Sequence, residues 1–67
     1  MHYQRVVGHV KAALFVKKLE EMQIPVLFKS IVPRKLYGGQ YTTDHFFVVE
    51  DRFTVDLQYA YYLLHVE

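Results

Sequence analysis

Two short stretches, VLFKSIV at residues 26–32 and DHFFVVE at 44–50, are apolar on both of the faces a strand would present. Alternate residues of a strand point to opposite sides. Val26 and Phe28 therefore oppose Leu27 and Ile31, and Phe46 and Val48 oppose Phe47 and Val49. An antiparallel sheet with one face in water reads apolar-in and polar-out instead. A sheet built from these segments has to be covered twice, and a chain of 67 residues has little with which to do it.

A chain this short buries only about 60% of the surface it exposes when unfolded. With no Cys it has no disulfide framework and no thiolate zinc site, so association is the remaining way to cover apolar surface. Six Tyr and five Phe point the same way, because aromatic residues are enriched at interface cores. The longest unbroken apolar run, from Ala12 to Val16, is far shorter than the roughly 18 residues of a membrane span. The opening MHYQRVV lacks the charged start and apolar stretch of a secretion signal. A single cytoplasmic domain over 1–67 is expected, with no membrane contact.

The elements follow from periodicity. Residues 2–7 read as a strand, and Gly8 breaks it. From His9 to Gln23 a helix is expected, with Ala12, Phe15, Val16, Leu19 and Met22 on one face. Leu14 falls on its polar side, and Pro25 ends it. Val26–Val32 is read as a strand closed by Pro33, residues 33–43 as a loop centred on Gly38-Gly39, and Asp44–Glu50 as a strand. From Asp51 on the pattern is double. Phe53, Val55, Leu57 and Tyr59 alternate as in a strand, whereas Phe53, Leu57, Ala60, Tyr61 and Leu64 make a helical stripe. Length favours the helix, with Thr54 or Asp51 as its cap; a strand there would widen the sheet and remove a cover.

The expected fold is an α+β two-layer sandwich of order β-α-β-β-α, an antiparallel hairpin plus two helices on one sheet face. The other face is then open unless the tail or the 33–43 loop folds over it. Its partner-binding residues are expected to be Leu27, Ile31, Phe47 and Val49, with Lys29 at the rim. A shift of one residue would substitute Phe46 and Val48. The function this implies is regulatory or inhibitory protein binding without catalysis, through self-association as a dimer or higher oligomer, or through another protein.

Leu19-Glu20-Glu21-Met22-Gln23-Ile24-Pro25, Gly38-Gly39, Val48-Val49-Glu50-Asp51 and the run Asp56 to Leu64 carry a family likeness. Over about residues 12–64 the chain resembles small prokaryotic signal-transducing domains of unknown function. Gln23 stands where that pattern has Gly, and the segment from Glu50 to Asp56 is longer than the pattern's. The resemblance implies a ferredoxin-like α+β domain with a regulatory or adaptor role, and assigns no functional residue.

Charge is unevenly spread. Residues 1–43 hold seven Lys/Arg against Glu20 and Glu21, and residues 44–67 hold Arg52 against five acids. Such a split suits complementarity between copies or with an oppositely charged partner, or neutralisation within the fold. The segment 29–41 offers a second reading. Lys29, Arg34 and Lys35 beside Tyr37 and Tyr41 combine cations for phosphate with rings for base stacking, so they are candidates for nucleic-acid or anion contact. No phosphate-binding glycine motif supports it. His2, His9, His45 and His65 have no metal-ligand spacing, and Ser30 lacks a nucleophile motif. No metal, cofactor or catalytic residue is expected.

Overall fold

The computed structural model describes residues 1–66. The order is β1 (His2–Val7), α1 (His9–Glu21), β2 (Phe28–Lys35), β3 (Tyr41–Val49), a 3-10 turn (Asp51–Phe53) and α2 (Thr54–Val66). The three strands form one antiparallel sheet of order β1-β3-β2, with both helices packed on it. This is the expected α+β sandwich, and residues 54–66 are helix. It matches the first five elements of a β-α-β-β-α-β plan.

Local chemistry accounts for the boundaries. Gly8 takes φ +91 and ψ 148, a backbone region reserved for glycine, and turns the chain from β1 straight into α1. Helix α1 ends in a Schellman motif, with Gln23 N–H donating to Glu20 O (3.1 Å) and Ile24 N–H to Leu19 O (2.9 Å). The hairpin is longer than the sequence suggested. Strand β2 starts at Phe28 and runs on through Pro33 to Lys35, while β3 begins at Tyr41, so the turn shrinks to residues 36–40. Pro33 is tolerated because β2 is an edge strand. Gly38 and Gly39, both at positive φ, allow the tight reversal closed by Leu36 N–H to Gln40 O at 2.6 Å. Thr54 donates its hydroxyl back to Asp51 O (2.8 Å), which splices the 3-10 turn onto α2 rather than capping it.

The core lies between the layers. Ala12, Phe15 and Leu19 of α1 and Leu57 and Ala60 of α2 meet Val6, Phe47 and Val49 of the sheet, with Ile24 closing one end. Phe15 and Phe47 pack edge to face, ring centroids 5.1 Å apart.

Candidate protein-binding surface

Register decides which side chains the helices cover. On β3, Phe47 and Val49 point into the core, so Val48, Phe46, Asp44 and Thr42 occupy the opposite side. Pairing aligns Tyr3 and Phe28 with Val48, Arg5 and Ser30 with Phe46, Val7 and Val32 with Asp44, and Arg34 with Thr42. None of the helices packs on these rows. Their apolar end is continuous: Tyr3 and Phe28 are each about 60% exposed, and the Tyr3 and Phe46 rings are 6.0 Å apart. Met1, His2, Tyr3, Phe46 and Val48 line a shallow, mostly apolar cleft of about 320 Å³ there.

The other end is tied through its polar groups, with Val7 and Val32 part-exposed on either side of Asp44. Arg34 donates from Nε to Asp44 Oδ2 (2.7 Å) and from a terminal nitrogen to Oδ1 (3.2 Å), a bidentate clamp on a buried carboxylate. Those hydrogen bonds hold the Asp44 carboxyl below its ordinary range against the opposing effect of burial, and the charges of Arg34, Arg5 and His45 add to the lowering. Arg34 is raised in turn, chiefly by the same hydrogen bonds. Two arginines therefore flank one carboxylate on this face.

The expected partner-binding set is corrected by this geometry. Phe47 and Val49, at 2% and 0% exposure, are core residues and face the helices. Ile31 shares their side of the sheet but lies on β2 beyond the helices, 61% exposed. Leu27 and Lys29 line a different feature, a groove of about 400 Å³ between α1 and the start of β2 that also takes in Val16, Leu19, Ile24 and Phe28. The open face carries Phe46 and Val48, the one-residue alternative, together with Tyr3, Phe28 and Arg5, which the sequence reading did not single out.

The basic-aromatic set is not brought together. Arg34 lies on the open face in its clamp with Asp44, whereas Lys35 and Tyr41 pair on the opposite side and Tyr37 sits exposed at the hairpin tip. Lys29 is six residues from Lys35 along β2, roughly 20 Å at strand rise.

Among the described residues no group of three His, Cys, Asp or Glu is placed to hold a metal ion, and no helix is long and apolar enough to cross a membrane. Two histidines far apart in sequence do meet. His45 Nε2 and His9 Nδ1 are 3.0 Å apart in a hydrogen bond, the rings edge to face. No spacing rule connects positions so distant along the chain. No family model matches the chain, and neither the curated proteins nor the solved structures provide a match.

Proposed function

We propose that the chain is a non-catalytic protein-interaction module whose uncovered sheet face receives an apolar segment of a partner protein. The observation that carries this is the continuous apolar end of that face, formed by Tyr3, Phe28, Phe46 and Val48. Contiguous exposed apolar surface on a small domain marks interaction sites. The polar end sets the chemistry of the partner: Arg5 and Arg34 outnumber Asp44, so the matching segment carries an acidic side chain beside its apolar ones. Edge pairing is a weaker alternative on β2, because Pro33 offers no N–H to an added strand and Lys29 and Lys35 flank it.

Selection of random displayed peptides against the wild-type chain tests this reading, with the Phe46→Lys variant as counter-target. Recovered sequences should place Asp or Glu next to apolar residues and bind at least about tenfold more weakly to the variant, as loss of a central aromatic contact implies. Amide shifts on titration should concentrate at residues 3, 5, 28, 46 and 48. Peptides that bind both proteins equally, or that shift Val16, Leu19 and Ile24 of the α1–β2 groove in place of residues 3, 5, 46 and 48, would refute it.

A further inference from the structure

Helix α2 is apolar on two opposite sides. Leu57 and Ala60 are buried against the sheet and α1, while Val55, Tyr59, Tyr62 and Val66 stand away from the core with exposures between 54% and 74%. At about 100° per residue the exposed four fall within an arc of roughly 60°, diametrically across the helix from the core-facing stripe. Their spacing of four, three and four is that of a coiled-coil seam. A helix apolar all round is characteristically a buried helix, so this second stripe lacks its cover.

We propose that the stripe pairs antiparallel with the same stripe of a second copy of the chain. The stripe is its own complement: read in either direction it is Val-Tyr-Tyr-Val. A two-fold axis between Tyr59 and Tyr62 sets Val55 against the partner's Val66 and Tyr59 against the partner's Tyr62. Tyr59 and Tyr62 are already stacked, centroids 6.3 Å apart and planes 19° from parallel, so each helix offers a preformed aromatic pair to the other.

The flanks agree with this direction. On one side of the seam Gln58 faces the partner's His65. The His65 Nδ1–H donates to Tyr61 O at 2.8 Å, which leaves Nε2 as the ring nitrogen to meet the Gln58 amide, a group that can both donate and accept. On the other side Asp56 faces the partner's Leu63, so no like charges meet. A parallel pair would instead set Glu50, Asp51 and Asp56 of both copies side by side and align the two helix dipoles. The seam is short, roughly 16 Å at helical rise, so the dimer belongs to the weak class, with a dissociation constant on the order of tens of micromolar.

This pairing does not rest on the sheet-face reading. Sedimentation equilibrium of the full chain up to about 500 µM, well above that range, should show the mass rising from 8.0 kDa toward twice that value. Tyr59→Glu places a charge in the seam and should weaken association about 100-fold; circular dichroism checks that it still folds, as an exposed position allows. Because the chain has no Cys, single-cysteine labels report direction. Labels at Gln58→Cys should lie roughly 15 Å closer across the dimer than labels at Arg52→Cys, whereas a parallel pair makes the two distances equal. A monomer throughout, a dimer indifferent to Tyr59→Glu, or equal label distances would each overturn the proposal.

Discussion

His45 and His9 share a hydrogen bond that needs one ring nitrogen protonated and the other bare. The His45 pKa is lowered from the ordinary 6.5, first by burial and then by the charge of His9, with Asp44 opposing. For a group whose folded pKa is depressed, the stabilisation is complete above the unfolded value and is lost as pH falls. Stability should therefore decline below about pH 6.5, through the native pKa of His45. Asp44 adds a second, more acidic loss as pH drops below the ordinary carboxylate range, because Arg34 holds its pKa down as well. In His9→Ala the repulsion from the second ring is gone, so His45 should titrate at higher pH. Carbon-bound imidazole protons followed by NMR give the value directly, and an unmoved curve would show that the two rings do not interact.

At the scale of the element, the clearest local conflict is the end of α1. Gln23 sits at φ 56, in the left-handed region, and supplies the Schellman turn that buries Ile24 beside Leu19. A side chain there costs roughly 1 kcal/mol that glycine does not incur, partly offset by the greater freedom of glycine when unfolded. Gln23→Gly should raise stability by about 0.5 kcal/mol with the fold unchanged, measured by chemical denaturation; a loss would mean that the Gln side chain makes a contact worth more than the strain. The Pro25 signal and the 3.6-residue stripe made this helix and its end legible from sequence, and the length of the last segment made α2 legible too. Two things were not. Strand alternation says which residues share a face but not which face the helices take: Asp44 travels with Phe46 and Val48, His45 with Phe47 and Val49, so both sides of β3 are equally mixed. The second stripe of α2 was hidden because Val55 and Tyr59 served equally well as alternating strand residues, and only a settled helix turns them outward together.

The whole molecule is a thin slab, 39 × 26 × 15 Å across its Cα positions, with the sheet on one broad side and the helices on the other. The apolar sheet end and the α2 stripe consequently look in opposite directions. If each bound its own like, copies would alternate sheet to sheet and helix to helix along one line, and nothing would close the series. Such geometry gives open filaments rather than a finite oligomer. One self-pairing face and one face for a different protein avoid this, and the palindrome assigns the first role to α2. In the dimer proposed above the two sheet faces would point outward, back to back, and two partner segments would bind without contact between them. The two surfaces should then respond independently. Phe46→Lys should weaken peptide binding at least about tenfold while leaving the sedimenting mass unchanged, and Tyr59→Glu should give a monomer that binds the same peptide with unaltered affinity per chain. Isothermal titration should read one peptide per chain in both the dimer and the Tyr59→Glu monomer. A halved stoichiometry in the dimer would place a single peptide across both copies, and would mean that the two sheet faces do not stand apart as this arrangement requires.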